Sequence, residues 1–132
     1  MRPVCLPQRP AVAYLFLVTS MPPSLTKKQK AELRRFAGLA HERELSGALG
    51  DLQSEFERWR RGEISVFELN DRVHRFHHGV SRDLYNLYDP RDAEMVVPGA
   101  IARGTLKEQE VDPALLKYLA ELIEFAKRRQ QE

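Results

Sequence analysis

The sequence predicts an all-α fold: a small helical bundle with one long N-terminal helix over 26–61 and a C-terminal helix over 113–129. Three observations carry this. Apolar residues recur at gaps of three to five from Leu33 through Phe36, Ala40, Leu45, Leu49, Leu52 and Phe56 to Trp59, the period of a helix face. Helix start signals stand at Thr26, at Ser65 with Glu68, and at Asp112-Pro113. No segment sustains the apolar–polar alternation of a strand.

The first helix opens at Thr26 as N-cap and closes at Gly62, a residue suited to the left-handed position after a C-cap. Gly47 and Gly50 each cost about 1 kcal/mol against alanine. They leave two readings: a break near 47–50 that folds the helix back, or an unbroken rod that projects and pairs with a second chain. Trp59 reads as a core anchor and the arginines around it, Arg58, Arg60 and Arg61, as complements to the dipole at a helix C-terminus.

The second helix is the best specified. Ser65 and Glu68 have capping-box spacing, and Ile64 and Leu69 stand at the positions of a hydrophobic staple. Val66, Leu69, Val73 and Phe76 or His77 form its apolar face, and Gly79 is expected to end it. A third, short helix then starts at Ser81 and stops before Asp89-Pro90, because a residue preceding proline avoids the helical region. Pro98, Gly99 and Gly104 allow only short helices next, over 98–103 and 106–110. The last helix buries Leu115, Leu116, Leu119, Leu122, Ile123 and Ala126, with Glu124 pairing Arg128.

The chain has 132 residues, enough for one domain, over 21–132. Its net charge of +2 is supplied by Arg2 and Arg9, so the rest is neutral. That neutrality removes the global electrostatic case for a nucleic-acid protein, while a local basic patch stays open. The single cysteine is Cys5, so a disulfide, a thiolate nucleophile or a cysteine zinc site is not available to 21–132.

Residues 1–20 differ from the remainder. Their apolar run, 11–18, is far shorter than the roughly 20 residues that cross a bilayer. Either translation starts at Met21, or Arg2, Arg9 and the apolar run form a signal-like leader. The first alternative implies a cytoplasmic protein and the second an exported one.

Candidate sites cluster in two places. His74 and His78 stand four residues apart and share a helix face, with Asp71 one turn earlier, a spacing that can ligate a divalent metal. Arg75 stands where a zincin would place glutamate, so metal is a weak expectation and no cofactor is predicted. A helix start at Ser81 would offer free backbone N–H groups to an anion or a partner's carboxylate, surrounded by His77, His78, Arg82 and Tyr85. The plainer reading of that junction is a capped turn. The second place is the basic start of the first helix: Lys27, Lys28, Lys30, Arg34 and Arg35 oppose the macrodipole, so local stability does not account for them. They suit an acidic partner, nucleic-acid phosphates, or a solvated helix end. Glu44, Asp51 and Glu55 read as a solvated ion-pair face.

Two resemblances add to this. The run from Trp59-Arg-Arg-Gly62-Glu63-Ile64-Ser65 through His77-His78-Gly79-Val80-Ser81-Arg82 to Leu84-Tyr85 resembles small bacterial helical proteins of unassigned function. That implies a bacterial origin and a helical fold, and it transfers no activity. Arg72 followed by His77 is similar to the Arg-x4-His pattern of HEPN ribonucleases, with Val73 where that family often has a polar residue. The leading expectation is a non-enzymatic helical protein-interaction or regulatory protein, monomeric or a weak homodimer, without a membrane span. The alternatives are a HEPN-like or histidine- or metal-dependent nuclease, and an antitoxin-like nucleic-acid-binding regulator.

Overall fold

The computed structural model describes residues 24–132, so the leader over 1–20 lies outside the described residues. The described chain is an all-α bundle. Helix α1 (Lys27–Arg60) is unbroken over 34 residues, about 51 Å at 1.5 Å per residue. Thr26 caps it through a reciprocal box with Gln29, at 3.1 Å and 2.9 Å. Gly47 and Gly50 do not fold it back; the helices that pack along it offset their low propensity.

Gly62 closes α1 at φ 78°, the left-handed position that side chains with a Cβ rarely adopt. Its N–H reaches the Trp59 carbonyl at 3.0 Å and that of Glu63 reaches Arg58 at 2.9 Å, the paired bonds of a Schellman motif. The chain turns back into α2 (Val66–Phe76), capped by the predicted box of Ser65 and Glu68. The staple residues Ile64 and Leu69 are both buried.

The expected stop at Gly79 is absent. Residues His77–Ser81 form one turn of π-helix, and α3 (Arg82–Leu87) continues from it without an interruption. Gly79 keeps a negative φ and serves no left-handed cap. A π turn holds one extra residue, which rotates the succeeding side chains by about 100° against an ideal α-helix. That rotation returns Leu84 and Tyr88, both buried, to the face of Leu69 and Phe76. Tertiary burial selected the bulge, where local signals suggested a break.

Asp89 is extended at ψ 123°, as its proline neighbour requires, and a 3-10 turn (Pro90–Asp92) leads into α4 (Ala93–Ala102). The helix expected over 98–103 thus begins earlier and carries Pro98 inside it, fully buried. Apolar burial of Ala93, Val96, Val97, Ala100 and Ile101 outweighs the hydrogen bond that proline removes. The second expected helix, 106–110, is only the 3-10 turn Glu108–Glu110. Helix α5 (Pro113–Arg129) has the predicted bounds. Lys127 pairs Glu124 at 3.7 Å and Glu108 at 3.4 Å, in place of the expected Glu124–Arg128 pair.

The core lies at one end. It joins Leu33, Phe36, Ala37 and Ala40 of α1 to Leu84 and Tyr88, to α4, to Leu106 and Val111, and to Leu115, Leu119 and Ile123 of α5. Ile64 and Leu69 are buried apart from this cluster. The distal half of α1 and all of α2 therefore form a helical hairpin that extends past the core. Trp59, expected as a core anchor, sits on it at 39% exposure. Among the described residues no helix is long and apolar enough to cross a membrane.

Candidate interaction surface

The hairpin leaves large apolar side chains in solvent. Leu49, Phe56 and Trp59 on α1 and Val66 and Phe67 on α2 are exposed between 39% and 82%; outside the hairpin Val80, Tyr85, Leu87, Met95 and Phe125 are exposed more sparsely. Single exposed apolar residues are ordinary, but a concentration on one projecting element is not. It follows from the architecture: α1 and α2 can bury only the faces they turn to each other, and no third helix covers the rest.

The hairpin has two edges. On one, Ala48, Asp51, Leu52 and Glu55 of α1 face Arg72, Arg75, Phe76 and Val80 across an open groove of about 410 Å³. Arg72 Nε lies 2.9 Å from Glu55 Oε2, and Glu55 also holds Arg58 at 3.2 Å. The Arg72 contact is an ion pair without hydrogen-bond alignment, which leaves that buried Nε unsatisfied. The other edge carries Leu49 and Phe56, seven residues apart and hence on one stripe of α1.

The predicted anion site loses its basis. Ser81 has helical angles, φ −60° and ψ −47°, and its side chain caps nothing. The Arg82 N–H donates to the Gly79 carbonyl, so the backbone donors expected at a helix start are spent inside a continuous helix. His77, His78, Arg82 and Tyr85 are all exposed around the π turn, Tyr85 at 75%. π turns often occur at functional sites. Here the turn presents an imidazole pair, His77 edge-on to His78 at 5.2 Å between centroids.

His74 and His78 do share a face, stacked 6.2 Å apart at 4°. Asp71 is drawn to Arg75 at 2.9 Å, and no group of three metal-ligating side chains exists among the described residues. Arg72 and His77 are not brought together: five residues at 3.6 per turn set them about 140° apart. Arg72 faces Glu55, whereas His77 faces solvent.

All five basic residues at the start of α1 are exposed. They divide by helical phase into a stripe of Lys27, Lys30 and Arg34 and a second of Lys28 and Arg35. Arg35 is further engaged by Glu32 at 3.6 Å and by the Phe36 ring at 4.4 Å. Lys28 borders a hollow of about 460 Å³ that also holds the acids Glu32 and Asp112.

One cluster escaped sequence reasoning. The Tyr88 hydroxyl accepts from Arg103 at 2.8 Å, and Glu44 takes bonds from Arg103 at 3.3 Å and Thr105 at 3.0 Å. His41 stacks on the Tyr88 ring at 5.4 Å. Burial, then the Glu44 hydrogen bond, push the Tyr88 phenol up to about 12. Beside it Arg43 clasps Glu110 and also donates to the Thr105 carbonyl at 3.0 Å. Glu44 therefore serves a network that ties α1 to the α4–α5 connection, where a solvated ion-pair face was expected. Its members are separated by about 60 residues, so no local spacing signals it.

Comparison of the chain with protein-family models, curated proteins and solved structures gave no match.

Proposed function

We propose that this is a helical protein-interaction module that works by docking through its projecting hairpin in the cytosol. The observation that carries the reading is the concentration of exposed apolar side chains on the hairpin, Phe56 at 41% and Phe67 at 82% among them, outside a complete core at the other end. Such an arrangement is stable alone yet keeps apolar surface in reserve for a partner. Binding rather than catalysis is supported by the divergence of Arg72 and His77 and by the capture of Asp71 by Arg75. A protein partner is favoured over nucleic acid because the basic start of α1 is split into two stripes and partly neutralised by Glu32.

The test is affinity capture from the native cell with the wild type and with Phe56→Asp, each checked by circular dichroism. A stoichiometric companion that disappears with Phe56→Asp supports the reading. An identical captured set for both proteins, each correctly folded, overturns it.

A further inference from the structure

The edge of α1 opposite the groove is self-complementary. Glu42, Ser46, Leu49, Gln53, Phe56 and Arg60 lie along one stripe, all exposed. Glu42 and Arg60 are 18 residues apart, which is five helical turns and about 27 Å, so they stand on the same side of the helix. Between them lie Leu49 at 46% and Phe56 at 41% exposure. Neither Glu42 nor Arg60 has an ion-pair partner among the described residues, although most charged neighbours, Arg43, Glu44, Glu55, Arg58 and Arg61, do. One end of the stripe is thus acidic, the middle uncharged, with Leu49 and Phe56 interleaved by Ser46 and Gln53, and the other end basic.

We propose that this stripe docks against the same stripe of a second, antiparallel copy of the chain. A two-fold axis at the level of Asp51 sets Glu42 of each copy against Arg60 of the other and closes the interface on itself. Around that axis Leu49 meets Gln53 and Phe56 meets Ser46 of the second copy, so the centre is free of charge, as homodimer interfaces are. Helix α2 runs antiparallel to α1 with Arg72 level with Glu55. The same rotation therefore brings Tyr85, 75% exposed, beside Val66 of the second copy, 53% exposed. The core residues of α1, Leu33, Phe36, Ala37 and Ala40, lie on the side of the helix away from this stripe. The inference rests on the hairpin being a docking surface and names its occupant.

Sedimentation equilibrium of the full chain tests it with a charge exchange. Glu42→Arg and Arg60→Glu each place like charges opposite one another twice, so each alone raises the dissociation constant about tenfold or more. An equimolar mixture of the two variants restores wild-type affinity, because each copy then meets its complement. Combining both substitutions in one chain restores it as well, while Phe56→Asp abolishes pairing. A monomeric wild type at every concentration, or a mixture no tighter than its components, overturns the self-pairing. The broader docking reading fails separately, when Phe56→Asp leaves partner capture unchanged.

Discussion

Glu110 accepts from Arg43 and from the Lys107 backbone N–H, and these bonds hold its carboxyl down to about 2 from an ordinary 4.5. Asp89 is held to about 2 from 3.8 in the same way, by the side chain and backbone of Arg91. A carboxylate with a depressed folded-state pKa stabilises the fold fully above its unfolded value and loses that contribution as pH falls through the folded value. Both groups therefore withdraw support between about pH 4.5 and 2. Because both are solvent-exposed, the expected effect is small and sensitive to salt. Thermal melts across that window should show a falling midpoint, and Arg43→Met should flatten the part of the fall that belongs to Glu110. The capping box of Ser65 and the left-handed Gly62 were legible because caps and turns are decided within a few residues. The partners of Arg43, Glu44 and Tyr88 were not, because nothing within one helix specifies what lies across the bundle.

At the scale of elements, the π turn is where the sequence reading and the structure part. A glycine that ends a helix in the left-handed region resists alanine, whereas a glycine inside a helix gains from it. Gly79 has negative φ, and a methyl group on its Cα would meet no heavy atom of a neighbouring group within 4 Å. Gly79→Ala should therefore stabilise by about 0.5–1 kcal/mol in urea unfolding, where the cap reading expects a loss. Deleting Gly79 is the contrasting experiment. The shortened segment can form a regular α-helix in which Leu84 and Tyr88 keep their buried face, because the residue removed is the one extra residue that the π turn accommodates. The deletion variant should therefore fold with a midpoint near wild type, whereas a loss on the order of 4 kcal/mol, as for two displaced core side chains, would contradict the bulge as what sets their register. The sequence did carry a trace of the bulge: Phe76, Val80, Leu84 and Tyr88 recur every four residues, a spacing that drifts steadily off an α-helical face.

Across the whole molecule, stability is concentrated at one end. The core unites α1 up to Ala40 with α3, α4 and α5, while the hairpin is held by one helix–helix contact, the staple and the ion pairs of Glu55. Native-state hydrogen exchange should reach global protection at residues such as Val97 and Leu119, both fully buried. Amides of α1 beyond Gly50 and of α2 should exchange by a smaller, local opening. Their protection should rise with protein concentration when the second copy docks. Uniform protection along α1, independent of concentration, would contradict both the division of the molecule and the pairing of its hairpins.

The sequence by itself determined the helical class, the bounds of α1 and α5, the start of α2, and the core positions Leu33, Phe36, Ala40, Leu69, Leu115, Leu119 and Ile123. These depend on period and capping, which are properties of neighbouring residues. Only the tertiary structure decided that α1 runs unbroken through Gly47 and Gly50, that Gly79 lies within a continuous helix, and that Trp59 stands outside the core. Each of those is a competition between a weak local preference, about 1 kcal/mol for a glycine, and burial against a distant element worth several times more. The surface with the strongest claim to function obeyed the same rule. His77 to Tyr85 drew notice as a motif, but the exposed stripe from Glu42 to Arg60 emerged only once α2 was seen to cover one face of α1 and leave the other open.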